Sequence, residues 1–160
     1  MPRMPILPPA EYATFETPPV FTPLERQRFF DLSPSLEHLL STFRTPTNQL
    51  CFVLTLGYFK ATHRFFARQF HDSDAIYVAR QLGGLPGMVD LRAYEDTTAR
   101  RHRQIMLDHL GFQAFEDPAK HHLLTEIHSL IRSHARPKAI FLHALDILAR
   151  RKTAIPRAYL

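Results

Sequence analysis

Arg100, Arg101, Arg103 and Gln104 bring the chain's most concentrated phosphate-binding chemistry into five consecutive positions. They belong to the stretch Thr97–Gly111, which begins basic, becomes apolar and is stopped by a glycine. On a helical wheel these four residues share one arc, while Ala99, His102, Ile105, Met106, His109 and Leu110 share the other. Leu107 breaks the pattern by falling on the polar arc. The arginines also sit at the end of the helix that carries partial positive charge. Each costs a few tenths of a kcal/mol, roughly, unless an anion pairs with it. A phosphate suits that place, because free backbone N–H groups and guanidinium groups then point the same way. The competing reading is a solvated basic face. His102 and His109, on the apolar arc, are expected to pack against neighbours.

Further candidates for nucleic-acid contact flank other elements. Arg44, Asn48 and Gln49 open the most apolar run, Leu50–Phe59, and Lys60, His63 and Arg64 close it. Arg80 and Gln81 end a helix expected over Ala75–Leu82, and Lys138 starts the last helix. Arginine suits phosphate, whereas Asn48, Gln49 or Gln81 has the paired donor and acceptor that reads an adenine edge. Ile76–Gly83, followed by a turn at Pro86 and Gly87 and a short helix through Leu91 and Tyr94, has a helix-turn-helix cadence. Small Ala79 permits close packing and Gly83 makes the turn. In that motif the second helix enters the major groove, although many helical hairpins share the cadence without touching DNA. The cluster Arg150, Arg151, Lys152 and Arg157 reads as a helix end favourably charged for its dipole.

Catalytic chemistry finds less support. Cys51, the single cysteine, lies within the apolar run and reads as a small core residue. The ten histidines lack zinc-ligand spacing: His128 is six and seven residues from His122 and His121, and there is no HExxH or paired Cys. No nucleophile elbow or phosphate-binding glycine loop occurs. Glu25, Glu37, Asp72, Asp74, Glu95, Asp96 and Asp117 fall at helix starts, where capping explains them. No catalytic residue, metal or cofactor is expected.

The chain has 160 residues, 45% of them hydrophobic, and 20 Lys and Arg against 15 Asp and Glu, for a net charge of +5. That balance favours a polyanionic partner, and most of the cations are arginine. One cysteine fits a reducing compartment. No run of eighteen apolar residues could span a bilayer, and the Pro-rich start does not read as a signal peptide. A cytoplasmic protein with no membrane partner is expected.

Several elements must position these residues. Seven of the thirteen prolines fall within the first 23 residues, so residues 1–21 read as a Pro-rich arm, extended at least over Met1–Pro9. Thr22-Pro23-Leu24-Glu25 and Ser33-Pro34-Ser35-Leu36 are helix starts with a capping residue and a proline in the first turn. Leu36, Leu39, Leu40 and Phe43 then give a helical stripe. Thr45-Pro46 opens the apolar run, which is expected to be the central buried helix because no side of it is polar. Phe65–Phe70 reads as a loop. Pro118 starts a helix with Leu123, Leu124, Ile127, Leu130 and Ile131 on one face. After Pro137 the last helix carries Phe141, Ala144, Leu145 and Leu148 inward. No strand pattern survives. The sequence predicts an all-α multi-helix bundle with helix-turn-helix-like hairpins over residues 22–160, divisible into lobes 22–71 and 72–160.

Taken in order, Leu32-Ser33-Pro34-Ser35-Leu36, Arg44-x-x-x-Asn48-x-Leu50-x-Phe52, Val78-Ala79-Arg80-Gln81-Leu82-Gly83, Tyr94, Thr98-x-x-Arg101-His102 and Leu110-Gly111-Phe112-x-x-Phe115 form a pattern. Arg136-Pro137, Leu148-Ala149-Arg150-Arg151-Lys152 and Ile155-Pro156 complete it. The set resembles the N-terminal domain of the large transposases of the Tn-three family of replicative transposons, from about Pro5 to Leu160. Cys51 stands where that family usually has glycine, a local change in helix packing. The resemblance implies an all-helical module that helps recognise terminal inverted repeats in double-stranded DNA, within a bacterial, nucleoid-associated protein. It also implies that phosphoryl transfer belongs to a separate C-terminal domain with an Asp-Asp-Glu triad and Mg²⁺. On that reading the chain is a truncated transposase, a fragment or a remnant. The alternative is a helical interaction module that docks other transposase domains or self-associates, for which the Pro-rich arm and Phe65–Phe70 are the features.

Overall fold

A Ser or Thr followed by Pro starts three successive helices, and in each the hydroxyl does the capping. Thr22 Oγ1 accepts the Glu25 N–H at 3.2 Å, and Glu25 Oε2 accepts the Thr22 N–H at 2.8 Å, which closes a capping box. Ser33 caps Leu36 N–H and Thr45 caps Asn48 N–H in the same way. The structure, a computed structural model, describes residues 6–84 and 89–156. Of the segment expected to be extended, Met1–Pro9, residues 1–5 lie outside those ranges, as do the turn at Pro86 and Gly87 and Arg157, and a helix starting at Pro9 falls where the sequence reads an arm.

Among the described residues the chain is all-α. The helices are α1 (Pro9–Glu16), α2 (Pro23–Phe29), α3 (Pro34–Leu40), α4 (Pro46–Thr62), α5 (Asp72–Gln81), α6 (Asp96–Leu110), α7 (Asp117–Arg132) and α8 (Pro137–Arg150), with a 3₁₀ turn at Leu91–Ala93 between α5 and α6. Helix α4 is the centre. Leu50, Cys51, Phe52, Val53, Leu54, Leu56, Gly57, Tyr58 and Phe59 are all buried on it, and α2, α5, α6 and the 3₁₀ turn pack around it. Each fully buried Leu or Phe contributes about 1.5–3 kcal/mol, so most of the molecule's stability gathers here. Gly57 permits one close approach: a Cβ there would collide with the Phe30 ring and lie 3.1 Å from the Phe29 carbonyl. Phe65–Phe70, beyond α4, is a loop as expected.

Asp74 departs from its expected capping role. Helix α5 starts at Asp72 with no side-chain cap, and Asp74 is buried. Its carboxylate accepts from Arg26 Nε at 2.7 Å and from Tyr58 Oη at 2.7 Å. The acid thus ties α2, α4 and α5 together, using a cation 48 residues away that no local pattern identifies.

Leu107 also departs from the wheel. The wheel assumes one buried face, but α6 has two. After α8 the chain turns back, and residues 152–155 run beside Gln113 and His63. Gln113 N–H donates to Lys152 O at 2.8 Å, Ala154 N–H to Gln113 O at 2.9 Å, and Ile155 N–H to His63 O at 2.8 Å. This strap buries Leu107 together with Phe59 and Ala154. His109, expected on the packed arc, is exposed instead. Helices α7 and α8 pack chiefly on each other. Ile147 and Leu148 of α8 are buried, α7 has no buried residue, and Leu124, Ile131 and Leu142 are more than half exposed.

Candidate nucleic-acid interface

Helix α6 begins one residue earlier than the sequence suggests, and this supplies an acid at its positive end. Asp96 lies in the first turn and meets Arg100 Nη2 at 3.0 Å. Both side chains are exposed, so the pair contributes at most about 1 kcal/mol and can exchange for a phosphate. Arg101 is exposed and Gln104 near it donates to Asp108 Oδ1 at 3.1 Å. Arg103 is half-buried, its guanidinium 5.7 Å from the centre of the Phe65 ring.

The opposite arc of α6 anchors this row. Ala99, His102 and Met106 are buried. The His102 ring sits 4.6 Å from that of Phe43 and 5.2 Å from that of Phe52, and its Nδ1 is hydrogen-bonded to Tyr94 Oη at 2.7 Å. Nε2 is buried without a partner. Burial, followed by the charge of Arg101, pushes the His102 pKa down to about 4, so the ring is a neutral core residue at ordinary pH. Its contact with Phe43 lays the α3–α4 loop against α6. Arg44, the next residue, is exposed there.

The other sequence-derived candidates fall into two groups. Arg80 and Gln81 are exposed at the end of α5, where Gln81 Nε2 donates to Tyr77 Oη at 3.1 Å. Asn48 is half-buried in the first turn of α4. Gln49 and Arg64, by contrast, are partly buried and engaged inside the fold, and Lys138, exposed on the surface, is paired with an acid. Gln49 Nε2 donates to the Leu40 and Phe43 carbonyls at 3.2 and 3.4 Å, finishing the end of α3. Arg64 lies 3.9 Å from the centre of the Phe15 ring and donates to Phe15 O at 2.6 Å. Lys138 meets Glu11 at 2.9 Å. Among the described residues the element following α5 is a 3₁₀ turn of three residues, too short to lie along a groove. The next helix in the chain with an exposed cationic face is α6.

A cleft of about 930 Å³ runs between α6 and the start of α7, floored by the strap. Arg100 and Arg103 face Lys120 and Phe115 across it, with Asp96, Glu116 and Asp117 also lining it. Lys120 carries no signal in the sequence and Phe115 is marked only as part of the family pattern, because their approach to α6 depends on how the connector 111–116 folds. Among the described residues no group of three or more His, Cys, Asp or Glu is placed to hold a metal ion. Nor is any helix among them long and apolar enough to cross a membrane. Cys51 is buried against Tyr94 and Ala99, and desolvation pushes its thiol up to about 12.

An all-helical domain with one cationic helix face set on an aromatic core is thus the class this chain represents. It belongs to the family described as a domain of unknown function, DUF4158, whose model matches residues 6–160. No curated protein matches the chain.

Proposed function

We propose that this domain binds double-stranded DNA and recognises the terminal inverted repeats of a transposon as a non-catalytic module of a transposase. The observation that carries the reading is the division of α6 into a buried arc of Ala99, His102 and Met106 and an exposed arc bearing Arg100 and Arg101. A rigidly seated helix that presents arginines at its N-terminal end has the chemistry for phosphate contact. The resemblance to Tn-three transposases, with which the DUF4158 family is in general associated, adds the type of DNA. Arg44 extends the contact from the neighbouring loop, and Arg80, Gln81 and Asn48 complete the candidate set. Such a partner would place the protein on the bacterial nucleoid.

The test is affinity for a transposon-end duplex against a scrambled one at several salt concentrations. Arg100→Ala with Arg101→Ala is expected to weaken binding and reduce the slope of log K against log salt by about 2 units. An unchanged slope would remove both residues from the interface. A second reading, docking or self-association among transposase domains, draws on the exposure of Leu124, Ile131 and Leu142. A dimer insensitive to salt, with no duplex affinity, would favour it.

A further inference from the structure

The short helix α1 lies within the stretch whose prolines suggest an arm, yet it touches two parts of the molecule that otherwise meet sparingly. It has no buried residue of its own, so packing a core cannot be its contribution. On one side it is held by Arg64, just past the end of α4. The Arg64 guanidinium lies over the Phe15 ring at 3.9 Å and donates to the Phe15 carbonyl. On the other side it is held by α8, where Phe15 meets Phe141 edge-on at 5.5 Å and Glu11 meets Lys138 at 2.9 Å. Phe15 is therefore shared between the core and the hairpin.

The α7–α8 hairpin needs such a fastening. Helix α7 buries nothing, and the hairpin's base, around Gln113, Pro118, Leu148 and Thr153, leaves a space of about 240 Å³. That space is a solvent-open groove between α7 and α8 beside the strap, and Ile147 and Leu148 are the hairpin's buried residues, so few packed side chains fix its angle. Its other attachments include the connector 111–116 and the strap, whose backbone hydrogen bonds run beside Gln113 and His63, and this joint can act as a hinge. The cleft lined by Arg100 and Arg103 of α6 and Lys120 of α7 opens on that hinge.

We propose that α1 is a clip that fastens the α7–α8 hairpin to the α4-centred core, and that its docking sets the width of the cleft between α6 and α7. The Glu11–Lys138 pair is exposed and the contacts of Phe15 with Arg64 are partly buried, a small set that suits a part able to release without unfolding the rest. The proposal does not depend on what the cleft binds.

The experiment compares the full chain with a Phe15→Ala, Glu11→Gln variant. Hydrogen exchange is expected to rise about fivefold or more across α7 and α8 while α4 and the buried side of α6 stay protected. Spin labels at Gln104→Cys and Lys120→Cys, with Cys51 buried and unreactive, are expected to give a broader distance distribution in the variant. Glu11→Lys and Lys138→Glu should each loosen the hairpin, and the two together should restore it. Unchanged exchange and distances would overturn the proposal. So would a uniform rise that includes α4, since α1 would then be part of one cooperative unit.

Discussion

Helices α4 and α7 are almost equal in length, 17 and 16 residues, and each has a proline in its first turn, yet α4 buries nine residues and α7 none. Their intrinsic helix-forming tendencies do not account for that contrast. Helix α4 is apolar on all sides and is surrounded by α2, α5 and α6, whereas α7 has one apolar face and packs chiefly on α8. The lesson is that number of neighbours, more than helical propensity, decides where stability resides. The core is therefore expected to open at higher cost than the hairpin.

Perturbations of the core should exceed any of the hairpin, and the largest should come from its buried charge. Asp74→Ala strands Arg26, whose side chain is only 20% exposed, and removes the acceptor of Tyr58. A loss of about 3–5 kcal/mol is expected in urea unfolding. A loss below 1 kcal/mol would show that α2 is not fixed by this acid.

Acid comes next. The folded state keeps His102 neutral down to about pH 4, whereas the unfolded chain takes up the proton near the ordinary value of 6.5. The contribution is thus complete above pH 6.5 and is lost as pH falls from 6.5 to about 4, amounting to up to about 3 kcal/mol. Burial lowers His63 as well, which acts in the same direction. Comparing His102→Phe with the parent across that range isolates the effect, and an equally steep acid loss in both would exclude His102 as its source.

Gly57→Ala should cost about 1–3 kcal/mol, because the Phe30 ring and the Phe29 backbone must retreat. Leu124→Ser on the hairpin should stay within about 0.5 kcal/mol in the isolated domain. If Leu124→Ser proved as costly as Gly57→Ala, the contrast between core and hairpin would fail.

What the sequence makes legible follows the same division between near and distant contacts. Thr22, Ser33 and Thr45 announce their helices because capping involves residues three apart, and the apolar run of α4 identifies the centre because every face carries the signal. The exposed arc of Arg100 and Arg101 is legible for the same local reason. Asp74, Leu107 and His109 are misplaced by local patterns. The partner of Asp74 is 48 residues away, and the strap that covers Leu107 arrives from beyond α8. Gln49 and Arg64 look like free recognition residues until α3 and α1 are seen to claim them. Lys120 becomes a neighbour of the α6 arginines only through the connector's path.

The position of Cys51 has a practical consequence. The chain contains one cysteine, inaccessible to solvent and with its thiol raised to about 12, and the thiolate is the form that alkylating reagents capture. Modification must therefore await an opening of α4 against the 3₁₀ turn and α6. Under conditions where reclosing is faster than capture, the modification rate of the unlabelled protein reports the opening equilibrium at that one point. The chain carries its own clock for the seam on which α6 is mounted, readable by mass alone.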